Sequence, residues 1–138
     1  MWVYIGFYVN KHSEKKRGKP RLVVNYQPLN EALQQIKHPL PNKASLLQRI
    51  GGKTIFSKFD LKSRFYQIGI VLEDRHKTSF VVPRGHYQWK VMAFGLRDGP
   101  GEFQKKMEDI FRDYPWLIIC IDGILVCSKN IKEHLKDL

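Results

Sequence analysis

The sequence predicts an α+β fold, a mostly antiparallel sheet backed by helices. Three features carry that expectation. Residues 54–61 (TIFSKFDL) and 65–72 (FYQIGIVL) are rich in β-branched and aromatic side chains, Pro100 opens an amphipathic helical stretch, and residues 116–128 (WLIICIDGILVCS) form an apolar hairpin pattern.

Taken in chain order, the basic, turn-rich stretch 11–20 (KHSEKKRGKP) reads as an exposed loop. Leu22, Val23 and Val24 then read as a short buried strand ending near Tyr26. Pro39 and Pro41 bracket Leu40, and a short helix follows from about Asn42. Its apolar residues Leu46, Leu47 and Ile50 share one face, and Gly51-Gly52 stops it. From Lys53 to Pro83 the pattern is β-like, and residues 78–82 and 86–92 form a hairpin pair around Pro83-Arg84-Gly85. In the helix after Pro100, Phe103, Met107, Ile110 and Phe111 recur at helical spacing, with Lys105, Lys106, Glu108 and Asp109 on the other side. The closing hairpin turns at Asp122-Gly123, a dipeptide suited to a two-residue turn that needs φ > 0 at both central positions. A last short helix starts near Lys132. No glycine-rich strand-to-helix loop is present, which argues against a Rossmann or P-loop nucleotide site.

Composition narrows the function. With 138 residues there is room for one domain or part of a larger one. A 43% hydrophobic and 12% aromatic content is that of a globular chain. The formal net charge of +11 favours a large anionic partner, nucleic acid before membrane. No run approaches the ~20 apolar residues of a membrane span. The opening run 2–9 lacks the basic leader and cleavage site of a secretory signal. Cys120 and Cys127 match neither a redox pair nor a zinc site, so they are expected as reduced thiols in an intracellular protein. His12, His38, His76, His86 and His134 have no ligand spacing and read as surface or loop residues.

Two aspartates sit within apolar runs: Asp60 at the end of a strand-like segment and Asp122 at the hairpin tip. Such carboxylates are costly unless paired, hydrogen-bonded or metal-bound. Taken singly, a cap or salt bridge explains Asp60, and a turn explains Asp122. The surrounding sequence changes that balance. KPRLVVNYQPLN (19–30), PLPN (39–42), GGKTIFSKFDLKSRFYQI (51–68), KTSFVVPRGHYQWKVMAFGL (77–96), GPGEFQKKMEDIF (99–111) and CIDGILVCS (120–128) follow one another in order. Together they resemble the reverse transcriptases of plant pararetroviruses and gypsy-type LTR retrotransposons, from about Phe7 to Leu138.

The resemblance implies an RNA-directed DNA polymerase, a nucleotidyltransferase joining a deoxynucleoside triphosphate to a primer 3′-hydroxyl on an RNA or DNA template. It implies two-metal catalysis with magnesium, manganese being the alternative ion. By resemblance Asp60 and Asp122 are the metal-binding, catalytic carboxylates, and Lys19 and Arg21 hold the triphosphate. Phe65 lies under the incoming sugar, and Phe94, Gly95 and Gln104 line the nucleotide and template side. Residues of about 1–57 and 75–95 are expected to be fingers-like, and about 58–74 and 96–138 palm-like. Thumb, RNase H and protease segments are not visible in these 138 residues.

The pattern breaks at the hairpin. The family motif is an aromatic, an apolar residue and two aspartates, whereas here it reads Cys120-Ile121-Asp122-Gly123. Arg64 replaces a small residue beside the sugar-contacting aromatic, Ala93 a proline and Gly99 an alanine. A degenerate copy with polymerase activity severely reduced or absent is therefore expected. The alternative is a non-catalytic nucleic-acid-binding remnant of an integrated viral or retrotransposon element.

Overall fold

The computed structural model describes residues 2–9, 20–35, 37–120 and 123–138. Its element order is β1 (Tyr4–Val9), β2 (Arg21–Val24), α1 (Gln27–Ala32), α2 (Lys43–Ile50), β3 (Ile55–Asp60), β4 (Phe80–Val82), β5 (Gly85–Tyr87), α3 (Gly99–Phe111), β6 (Leu117–Cys120), β7 (Gly123–Ser128) and α4 (Ile131–Asp137). Two compact units result, one from residues 1–35 and 65–99, the other from 36–64 and 100–138. Residues 36–57 belong with the second unit, where Arg49 of α2 donates to the Leu117 carbonyl of β6.

The first unit holds a four-stranded sheet in the order β2-β1-β4-β5. Its pairs are antiparallel except β1 with β4, which is parallel. Side chains of Tyr4, Val24, Tyr26, Leu29, Phe80 and Ala93 form its core, with Leu22, Val82 and Trp89 packed against it. The segment 65–72 is not the strand its composition predicts. Short 3-10 helices occupy Arg64–Gln67 and Leu72–Thr78, and strand character survives only as the Gly69–Val91 bridge. Ser63, at φ 52°, turns the chain into the first of them, which buries Phe65. Thr78 and Ser79 bond back to the Arg75 and His76 carbonyls, so the following hairpin is shorter than expected.

The second unit holds an antiparallel sheet in the order β3-β7-β6. Asn42 caps α2 by accepting from the Ser45 amide at 2.8 Å, as its sequence position predicts. The apolar face expected for α2 is only partly covered: Leu46 and Ile50 are half-buried, and Leu47 is exposed. In α3, Phe103 and Met107 are buried as expected, but Ile110 is exposed. Gln104 is fully enclosed, which shifts the inward face of α3 and leaves Ile110 on its rim. Asn130 caps α4 by accepting from the Glu133 amide, and α4 packs on β7 and β3.

Candidate active site

Cross-strand register organises the second unit's site. Asp60 is the last residue of β3 and lies directly opposite Gly123, the first residue of β7, which also pairs with Cys120 of β6. Directly paired residues project to the same face, so Lys58, Asp60, Cys120 and Gly123 share one. Asp60 is exposed and forms an ion pair with Lys58 at 3.2 Å. Beside it Lys58, Cys120, Gly123, Ile124 and Leu125 line a cavity of about 230 Å³.

Gly123 is thus a ladder residue, not a turn residue as the Asp-Gly dipeptide predicts. The physical reason is close approach. A Cβ built on Gly123 would collide with the Phe59 carbonyl oxygen and lie 3.1 Å from the Phe59 carbonyl carbon and 3.4 Å from the Asp60 Cα. At this spacing of the two strands no space is left for a side chain at position 123, and its φ is not positive. Asp122 and Lys19 lie outside the described residues.

Gln104 has no exposed surface. Its Nε2 donates to Glu108 Oε1 at 2.7 Å and to the Ile119 carbonyl at 3.0 Å. Glu108 in turn meets His38 Nε2 at 3.0 Å. Gln104 is therefore tied to the backbone of the hairpin strand β6.

The remaining candidates lie in the first unit. Arg21 begins β2. Phe65 is buried and meets Phe94 edge-on at 5.1 Å, while Tyr66 lies between Phe94, at 5.2 Å, and Trp89, at 5.5 Å. Burial raises the Tyr66 phenol, an effect opposed by the Arg21 guanidinium. Gly95 adopts φ 94°, and its carbonyl accepts from Asn30 Nδ2 at 2.8 Å. The positive φ explains glycine there.

One histidine departs from the surface or loop reading: His134, on α4, is 5% exposed within a polar network, whereas His38 lies in a loop and bonds Glu108. A lone histidine on a short terminal helix carries no sequence signal for burial. Both cysteines are free, with Cys127 buried and Cys120 partly so. Burial raises the Cys127 thiol despite nearby Lys53 and Arg49.

Among the described residues the donors fall short of a two-ion site: Asp60 brings one carboxylate to this face, and Gly123, opposite it, carries no side chain. Among the described residues no three His, Cys, Asp or Glu side chains are placed to share an ion. No helix among them is long and apolar enough to cross a membrane.

Residues 9–138 match the family model described as reverse transcriptase (RNA-dependent DNA polymerase). The chain belongs to the reverse transcriptase family. This reverse transcriptase domain is 50% identical over 136 residues to the genome polyprotein of Petunia vein clearing virus, covering 98% of the chain and 6% of the polyprotein. It is 49% identical over 129 residues to the putative enzymatic polyprotein of Cassava vein mosaic virus, covering 93% and 20%. It is 46% identical over 130 residues to the enzymatic polyprotein of Cauliflower mosaic virus (strain Strasbourg), covering 94% and 19%. The chain thus spans a fifth or less of these relatives. In fold it is similar to the foamy viral protease-reverse transcriptase solved with an RNA/DNA hybrid, at TM-score 0.83 and 20% identity, covering 96% of this chain and 17% of that one.

Proposed function

We propose that this chain is a reverse transcriptase domain in which nucleotidyl transfer has been lost at position 123. The observation that carries the proposal is the pairing of Asp60 with Gly123, because the carboxylate expected second in the hairpin motif would stand directly across from Asp60. Two divalent ions about 4 Å apart repel by on the order of 15 kcal/mol at an effective dielectric of ~20. Clustered carboxylates offset that repulsion, and glycine contributes no charge. Arg64, in place of a small residue beside Phe65, adds an obstacle on the nucleotide side.

The rest of the proposed site follows the family pattern. The ancestral substrates are a template–primer duplex and deoxynucleoside triphosphates, with magnesium or manganese as the ions. Lys19 and Arg21 are proposed for the triphosphate, Phe65 for the sugar, and Phe94 and Gly95 for the nucleotide and template side. Asp60 and Asp122 are the surviving metal-directed carboxylates. The enclosure of Gln104 supports a part in holding β6 instead of touching nucleotide. About 1–57 and 75–95 are proposed as fingers-like, and about 58–74 and 96–138 as palm-like.

Primer extension on a defined template, with magnesium or manganese, tests the loss. The unmodified chain is expected to give no product above background. Turnover comparable to that of a Gly123→Asp, Arg64→Gly variant would overturn the proposal. A second reading, a nucleic-acid-binding remnant without chemistry, is favoured by the net charge of +11. It predicts duplex binding without metal-dependent deoxynucleotide binding.

A further inference from the structure

Behind the Asp60–Gly123 ladder, four side chains of the second unit form one chain of hydrogen bonds. Ser57 Oγ lies 2.7 Å from His134 Nε2. His134 Nδ1 lies 3.0 Å from Ser128 Oγ, and Ser128 Oγ donates to Asp137 Oδ2 at 2.6 Å. Ser128 is fully buried and His134 nearly so. The proton positions follow from the acceptor at the end. A carboxylate only accepts, so the Ser128 hydroxyl proton points to Asp137, and Ser128 Oγ receives the proton on His134 Nδ1. In the neutral imidazole, His134 Nε2 then carries the lone pair and accepts from the Ser57 hydroxyl.

Ser57 belongs to β3, Ser128 to β7, and His134 and Asp137 to α4. Ser57 pairs with Val126 and Ser128 with Ile55, so by alternation both serines lie on the face opposite Asp60 and Lys58. The chain therefore ties β3 to β7 through α4. Ser57 is three residues before Asp60, roughly 10 Å along the strand. At the other end the Phe59 carbonyl occupies the space that a side chain on Gly123 would need. Admitting a side chain at 123 requires β3 to move away from β7, against the tie at Ser57.

We infer that the Ser57–His134–Ser128–Asp137 relay is a clamp that sets the β3–β7 spacing at Asp60 and Gly123, with His134 a positioning residue for the proposed carboxylate site. The inference rests on the reading of Asp60 as that site's carboxylate. The relay and the missing side chain are then coupled: a strand held this closely accepts glycine, and releasing the clamp eases a larger residue.

A double-mutant cycle on the full chain tests the coupling. Folding equilibrium constants are measured by urea denaturation for Gly123→Asp, Ser57→Ala and both together, with Gly123→Ala as the milder substitution should the aspartate variant not fold. The fold-loss caused by substituting Gly123 is expected to shrink about threefold or more on the Ser57→Ala background. Additive losses would overturn the clamp. Two-bond ¹H–¹⁵N spectra of the unmodified protein, with the imidazole neutral, are expected to show His134 protonated on Nδ1. Protonation on Nε2 overturns the relay independently of any variant. Neither readout requires catalysis. Primer extension by the unmodified chain would sink the proposed loss of activity and leave this cycle standing, whereas additivity sinks the clamp and leaves that proposal standing.

Discussion

Tyr26 shows what a single buried side chain contributes in the first unit. Its ring meets Tyr4 edge-on at 5.0 Å, and its hydroxyl donates to the Thr78 carbonyl at 2.8 Å, joining segments far apart in the chain. It is 2% exposed, and burial pushes the phenol well above its ordinary value of 10.0. The folded state thus holds this proton more tightly than the unfolded chain does. The resulting stability is fully present below pH 10 and is lost as pH rises from there towards the folded value. Urea denaturation at stepped pH is expected to show a falling alkaline limb, and Tyr26→Phe is expected to flatten it at a cost of about 1 kcal/mol near neutrality. An unchanged limb in the variant would remove Tyr26 as its source. Gly123 carries the opposite lesson at this scale. The sequence shows a glycine after Asp122, but not the Phe59 carbonyl that lies across from it, since that approach depends on cross-strand register.

Among elements, β6 is an edge strand whose outward carbonyls are covered by side chains. Gln104 of α3 donates to the Ile119 carbonyl and Arg49 of α2 to that of Leu117. Unpaired edge carbonyls invite pairing with another strand, and these donors occupy them. Gln104→Ala removes a buried donor and leaves both the Ile119 carbonyl and Glu108 short of a partner. A loss of roughly 1–3 kcal/mol is expected in urea denaturation. A change within about 0.5 kcal/mol would mean that Gln104 does not hold the strand. The elements also show where pattern reading succeeds. Asn42 before α2, Pro100 in α3 and the apolar runs of β6 and β7 are local signals, and all fell where expected. The stretch 65–72 misled because β propensity reflects packing on a sheet, and here Phe65 and Tyr66 pack on Phe94 and Trp89 instead. Strand β1 and helix α1 were not foreseen; each is six residues long, and β1 finds its partners β2 and β4 far along the chain.

For the whole molecule, the net charge of +11 bears on binding and not on folding. Each phosphate contact releases counterions, so on the order of six contacts imply a roughly thousandfold loss of duplex affinity from about 50 to about 200 mM salt. Fluorescence anisotropy with a labelled duplex measures this, and affinity insensitive to salt would sink a phosphate-dominated interface. The sequence by itself determined the family, the α+β class and most of the element order, because ordered motifs and local periodicity are properties of neighbours along the chain. Only the tertiary structure decided that Gly123 stands across from Asp60 with no room for a Cβ, that Gln104 is enclosed, and that His134 is buried between Ser57 and Ser128. Register and burial are set by partners up to 77 residues distant, as between Ser57 and His134, and no local pattern encodes them.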